Sequence, residues 1–244
     1  GNLLAYGVFD LDAAGESKLL ARGRYTEGAV SSDVEAGQIT EYVAHSWYTE
    51  ASGGLNPSVG VTEPLAAKPG AYSWLKSPRY LDKVHEVGPL ARMWVNGDYR
   101  NGISVIDRVA ARALEAQKVA NAMEGWLGEL VPGEPVYAES PVPNMATGIG
   151  LTEAPRGALG HWIAVDDAKI SRYQVVSPTN WNASPRDDAG QMGPIEQALL
   201  GTPVADSNQP IELLRVVHSF DPCLACSVHM VRAGGDAKRF AVTS

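Results

Sequence analysis

The sequence is poor in cysteine, has no long apolar run and carries no excess of positive charge. Each shortage excludes a class of protein. Only two cysteines occur among 244 residues, Cys223 and Cys226. A disulfide-stapled scaffold needs more, and two cysteines three apart close too short a loop to remove much unfolded-chain entropy. No stretch approaches the roughly 20 apolar residues that cross a bilayer. The opening GNLLAYGVFD lacks a basic region ahead of a long apolar run, so no secretory signal is expected there. Lysine and arginine total 20 against 28 acidic residues, a net charge of −8. A general nucleic-acid binder would need a basic face instead. No internal repeat or low-complexity segment stands out. What is present is globular in character, with 45% hydrophobic and 20% charged residues. That is too apolar for disorder and enough to bury a substantial core.

Along the chain, LLAYGVFDLD reads as a short buried strand and Asp12 to Gly15 as a turn. Residues 19–31 are strand or loop. Asp33 is a candidate N-cap for a helix to about Tyr48, with Val34, Ile39 and Val43 on one side. Residues 51–70 are rich in Gly, Pro, Ser and Asn and read as irregular. The clearest element is a helix over 103–128, where Ile103, Ile106, Val109, Ala113, Leu114, Met123 and Leu127 recur at helical spacing. Ser104 and Asp107 form a weak capping pair at its start. HWIAV and SRYQVV flank Asp166 to Lys169 as a β-hairpin. Short helices are expected at 193–200 and 208–216. The predicted class is mainly α with small antiparallel β elements, an α+β chain. A domain boundary near 135–150 is conceivable, but nothing there reads as a linker.

The segment that carries chemistry is DPCLACSVH, Asp221 to His229. Pro222 suits the first turn of a helix and Asp221 its N-cap. Cys223 and Cys226 would then lie near the positive end of that helix, which favours thiolate. His229 follows one turn later, giving a soft-metal half-site. By itself the C-x-x-C is ambiguous. It fits half of a zinc site completed by another histidine, a redox pair, or two structural cysteines.

Other blocks narrow the choice. DPCLACSVH resembles the C-terminal metal motif of the large subunit of [NiFe] hydrogenases. EAPRGALGHW (Glu153 to Trp162) resembles that family's arginine segment. EVGPLAR (Glu86 to Arg92), PTNWNASPRD (Pro178 to Asp187) and GTPVAD (Gly201 to Asp206) resemble further family segments, in order. The resemblance covers nearly the whole chain and is nearest the membrane-associated uptake group. It implies the C-terminal part of a helical-bundle large subunit that splits H₂ reversibly at a nickel–iron centre whose iron carries cyanide and carbon monoxide. Cys223 matches a terminal nickel ligand and Cys226 a bridging one. Arg156 matches the guanidinium over the open metal position, and Asp221 its carboxylate partner. Pro155 and Pro178 match residues lining the diatomic-ligand pocket, and Thr179 a hydroxyl donor to one cyanide. His229 and the backbone carbonyl of Val175 match ligands of a second metal, magnesium or iron. His218 reads as structural.

The resemblance also shows what this sequence does not supply. The family's other two cysteine ligands come from an N-terminal C-x-x-C, and its glutamate proton gate from the same half. The expectation is a fragment or split subunit, inactive alone. Residues 1–229 then form one domain, and 230–244 an extension removed after His229 by a maturation endopeptidase. The implied partners are the N-terminal half, an iron–sulfur small subunit and, through it, a membrane cytochrome b. The implied location is the periplasmic face of a membrane, reached by export with a signal-bearing small subunit. A non-catalytic zinc-binding interaction module using Cys223, Cys226 and His229 is the alternative.

Overall fold

Leu3, Leu4, Ala5 and Tyr6 are completely buried, and the N-terminal sheet forms around them. The computed structural model describes residues 1–223 and the backbone of 227–230 and 238–241. The chain opens with five short strands, β1 (Leu3–Ala5), β2 (Val8–Asp10), β3 (Lys18–Leu20), β4 (Gly23–Thr26) and β5 (Ala29–Ser31). The expected turn at Asp12 is present. Its carboxylate accepts from the backbone N–H of Ala14, Glu16 and Ser17 at 3.0, 3.1 and 2.7 Å.

The helix expected from Asp33 to about Tyr48 does not form. Val34, Ile39 and Val43 are buried, but Ile39, Glu41 and Val43 turn inward by alternation, with Thr40 and Tyr42 half-buried between them. A period of two is a strand period. Residues Ile39–Tyr42 are β6, paired antiparallel with β7 (Ser77–Tyr80). The β-branched Ile39, Thr40 and Val43 favour that outcome, and Gly37 weakens a helix at its start. Between β6 and β7 the chain is irregular as expected, with single 3₁₀ turns at Glu50–Ser52 and Pro57–Val59.

The next strand, β8 (Glu86–Val87), runs parallel to β1 and completes a sheet in the order β5-β4-β1-β8. It leads straight into α1 (Pro89–Asn96), a helix the periodicity did not reveal. Pro89 opens it and Gly97, at φ +86°, ends it in the left-handed conformation. The long helix α2 (Val105–Glu129) matches its expectation, with Ser104 Oγ accepting from the Asp107 N–H at 3.4 Å. Its Ala111 packs with Leu20, Leu90 and Met93. Much of its apolar surface stays open, however: Ile106, Met123 and Leu127 are more than half exposed.

The second half is built on a three-stranded meander of β9 (Met145–Ala154), β10 (Gly157–Asp166) and β11 (Lys169–Val176), with β10 central. The predicted hairpin is its β10–β11 half. Asp167 and Ala168 at its tip have φ +50° and +54°, as the primed two-residue turns of hairpins require. Helices α3 (Pro178–Asn182), α4 (Pro194–Leu199) and α5 (Ile211–Ser219) follow, then β12 (Ser227–Met230) paired with β13 (Lys238–Ala241). One buried cluster joins Leu4, Tyr6 and Val87 to Ala158, Trp162, Val176 and Trp181. It therefore spans both sides of the boundary considered near 135–150.

Two further expectations are corrected. The chain is not mainly helical: thirteen strands accompany five helices among the described residues. Most are three or four residues long, too short for alternation to register in the sequence. Nor does a helix start at Pro222. Helix α5 ends at Ser219, and Asp221 has φ +50°. A residue before proline is disfavoured in the helical region, and Asp tolerates the left-handed one.

Candidate functional site

Strands β9 and β10 are joined by two residues only, Pro155 and Arg156, since Ala154 already pairs with Gly157. Tight two-residue hairpins favour turns with positive φ at the first position, which the pyrrolidine ring of Pro155 forbids. Gly157 takes up the difference at φ +138°. A Cβ there would lie 2.6 Å from Val87 Cγ2 and 2.7 Å from the Gly88 nitrogen. The turn is therefore pressed onto the β8–α1 junction, and Arg156 projects from its tip.

Helix α3 supplies the second wall. Pro178 sits in its first turn, and the Asn180 side chain accepts from the Ser177 backbone N–H at 3.1 Å and hydroxyl at 2.6 Å. Asn182 ties the helix to β8: its Oδ1 accepts from the Val87 N–H at 3.0 Å and its Nδ2 donates to the Val87 carbonyl at 2.9 Å. The third wall is the end of α5, where Phe220, Asp221 and Pro222 leave the helix.

These walls enclose a small concavity lined by Arg156, Pro178, Thr179, Asn182, Phe220 and Asp221. Four of the predicted residues, Arg156, Pro178, Thr179 and Asp221, are thus brought together from segments far apart in the chain. Arg156 Nε lies 3.5 Å from Asp221 Oδ2, with the two side chains 37% and 45% exposed. The contact is electrostatic rather than a formed hydrogen bond, and Nε is left buried with no hydrogen-bond partner among the described residues. Pro155 is not among the residues lining this concavity. It lines a neighbouring cavity of about 370 Å³, which Asp221 also borders, together with Arg92, Glu115 and Glu153.

Cys223 lies two residues beyond Asp221 and is exposed. Cys226 and the side chain of His229 fall outside the described residues. His229 is on strand β12, opposite Arg239, not on the expected helix. Val175 is in β11, paired with His161. Among the described residues no three His, Cys, Asp or Glu side chains cluster to hold a metal. The donor chemistry nevertheless suits one side of a nickel–iron site. It consists of a thiol, a permanent cation whose Nε is buried, and a carboxylate 3.5 Å from that Nε.

The sequence reading missed the buried charges behind these walls. Arg92 is 3% exposed. It donates to Glu115 through Nε and Nη2, to Glu153 Oε2 at 2.6 Å, and to the carbonyls of Ala154 and Pro155 at 3.1 and 2.8 Å. One guanidinium thus serves two carboxylates, and burial pushes the Glu153 carboxyl up to about 7. Arg79, fully buried, grips the loop after α3 through Asp187 Oδ2 at 2.6 Å, Ser184 Oγ at 3.1 Å and the Gln191 carbonyl at 3.0 Å. Arg108 pairs with both oxygens of Glu86 at 2.7 and 2.8 Å. Its signal in the sequence was faint, but Arg92 stands out as a lone charge within the apolar PLARMW.

Comparisons with known proteins show the family. The family model described as nickel-dependent hydrogenase matches residues 1–102 and 95–229. The periplasmic [NiFeSe] hydrogenase large subunit of Desulfomicrobium baculatum is 43% identical, over 95% of this chain and 50% of that protein. The uptake hydrogenase large subunit of Bradyrhizobium diazoefficiens is 37% identical, over 96% of this chain and 49% of that protein. The solved Ni-Fe-Se hydrogenase of D. vulgaris Hildenborough superposes with a TM-score of 0.87 at 41% identity, over 91% of this chain and 51% of the other. The chain spans about half the length of these relatives. No described helix is long and apolar enough to cross a membrane. The zinc-module alternative leaves the arginine and proline blocks without a role and is not favoured. The chain belongs to the nickel-dependent hydrogenase family, within which it has the fold of the large subunit.

Proposed function

We propose that this chain forms one side of the H₂-converting site of a nickel–iron hydrogenase. The observation that carries this reading is the Arg156–Asp221 pair. It stands over Pro178 and Thr179 in one concavity, with Cys223 just beyond. When bound, the nickel–iron pair, with cyanide and carbon monoxide on iron, supplies the Lewis acid and the redox couple for splitting H₂.

The chain's own residues do the rest. Arg156 holds a permanent positive charge and a rigid set of donors at the mouth of the site. Asp221, with Oδ2 3.5 Å from Nε, supplies the carboxylate beside that fork. Pro178 excludes water from the wall it covers, and Thr179 offers a hydroxyl donor to a cyanide nitrogen. Cys223 Sγ, with Cys226 one of the two thiolates this chain contributes, takes the proton. His229 and the Val175 carbonyl would hold the magnesium or iron ion near the mature end, before cleavage of 230–244 by an endopeptidase.

Two electrons leave for each H₂ consumed, and they need clusters that two cysteines cannot hold. An iron–sulfur small subunit receives them, with a cytochrome b beyond it at the periplasmic face of a membrane. The exposed apolar face of α2 supports a further partner, the N-terminal half of a large subunit. Elemental analysis and H₂-dependent dye reduction test the reading. The chain assembled with that half and the small subunit should hold stoichiometric nickel and iron and consume H₂; the chain alone should do neither. Zinc without nickel in the active assembly, or full metal loading and H₂ uptake by the chain alone, would overturn it.

A further inference from the structure

We infer that Arg92 is a positioning residue for Arg156, acting through the backbone of the Pro155–Arg156 turn; the inference rests on the function proposed above. All five guanidinium N–H groups are engaged: two on Glu115, one on Glu153, and one each on the Ala154 and Pro155 carbonyls. The last two are the residues immediately ahead of Arg156. Glu115 belongs to α2 and Glu153 to β9, so a single side chain ties the long helix to the tip of the β9–β10 hairpin. Glu153 is tied a second time, through the Tyr6 N–H at 2.6 Å.

The turn needs this support. Pro155 excludes the backbone that a two-residue hairpin prefers, so the local sequence alone does not hold Arg156 in place. The same segment, Glu86 to Arg92, closes on the turn from its other side. A Cβ at Gly88 would lie 3.0 Å from the Arg156 carbonyl oxygen. Through Val87 it also fixes Asn182, and with it the helix that carries Pro178 and Thr179. EVGPLAR thus joins both walls of the concavity, and Arg92 is the part of it that sets where Arg156 stands. Lysine cannot substitute, since one ammonium has three donors and no planar fork.

The test uses the assembled hydrogenase containing this chain. Arg92→Lys, Arg156→Lys and the double variant are compared for kcat and KM toward H₂, nickel content, and hydrogen exchange at the Arg156 and Gly157 amides. Arg92→Lys should keep its nickel and KM and lose kcat roughly 10- to 100-fold, the scale of a small misplacement at a reacting centre. Exchange at the two amides should speed up at least about tenfold, as expected when local opening becomes easier. In the Arg156→Lys background, Arg92→Lys should cost little further, because residues acting through one group are not additive. A loss that multiplies in full, or unchanged exchange at both amides, overturns the inference. Where Arg92→Lys does not fold, Glu115→Gln loosens the same guanidinium and should move exchange and kcat in the same direction. A wild-type assembly without nickel and H₂ uptake would defeat the proposed function, whereas the exchange arm still decides whether Arg92 holds the turn.

Discussion

The guanidinium of Arg108 lies 3.8 Å from the ring centroid of Phe220, and Asp221 is the next residue. Helix α2 thereby reaches the point where the chain leaves α5 and enters the site. Nη1 of Arg108 also approaches Ser219 Oγ at 3.4 Å, and Arg112 donates to the Ser219 carbonyl at 2.9 Å. The last turn of α5 is therefore anchored before Asp221 turns back.

Removing this anchor should cost stability in a graded way. Arg108→Met strands the buried carboxylate of Glu86 and should destabilise the fold by about 3–5 kcal/mol. Phe220→Leu keeps the ion pair and loses the ring contact, for about 1–2 kcal/mol. Urea midpoints of the two variants check the order. Equal losses would mean that the Glu86 pair contributes nothing beyond packing.

Gly157→Ala should be more damaging than an exposed glycine-to-alanine change. The position has φ +138°, and the new methyl would meet Val87 and Gly88 at under 3 Å. A strained backbone and a clash against main chain together should cost roughly 2–4 kcal/mol. Gly125→Ala in α2, where a Cβ meets nothing within 4 Å, should instead stabilise by up to about 1 kcal/mol. Thermal unfolding of the two variants should move in opposite directions.

The residues of the concavity were named through the family resemblance that EAPRGALGHW, PTNWNASPRD and DPCLACSVH carry. By themselves Arg156 reads as an ordinary ion-pair residue and Asp221 as a helix cap. Arg92, Arg79 and Arg108 were not legible as a set. Their partners Glu115, Asp187 and Glu86 lie 23, 108 and 22 residues away, and nothing local in a sequence pairs charges across such distances. Helix α2 was readable for the opposite reason, since 25 residues allow a 3.6-residue period to repeat. Strand β6 was mistaken for helix because Ile39 and Val43, four residues apart, satisfy both periods.

His85 makes stability depend on pH. Its ring is buried, with Nδ1 3.0 Å from the Lys83 carbonyl and Nε2 3.1 Å from Thr26 Oγ1. Burial, with Arg24, Lys83 and Arg79 nearby, depresses its pKa to about 4. The unfolded chain takes up a proton near pH 6.5 and the folded chain does not. Stability should therefore fall as the pH drops from about 6.5 to about 4, by on the order of 3 kcal/mol in all. Glu153 opposes this in much of the same window. Its raised pKa favours the protonated form in the fold, so its contribution fades as pH rises towards 7. Urea midpoints of wild type and His85→Gln from pH 4 to 7.5 separate the two. The wild-type curve should lose stability toward acid relative to the variant, and parallel curves would falsify the assignment to His85.

Arg156→Lys is the sharpest test of the concavity itself. Lysine keeps the positive charge but loses the planar fork, including the buried Nε–H that has no hydrogen-bond partner among the described residues. If charge alone mattered, the assembled enzyme would keep its rate. If a directed donor matters, kcat for H₂ oxidation should fall by about 100-fold, the usual scale for removing one preorganised donor from a reacting centre. Nickel and iron contents should not change, because Arg156 provides no metal ligand. Asp221→Asn gives the complementary reading. It leaves the fork intact and removes the charge 3.5 Å away, so it should cost less than Arg156→Lys. A larger loss from Asp221→Asn would shift the essential role from the guanidinium to the carboxylate.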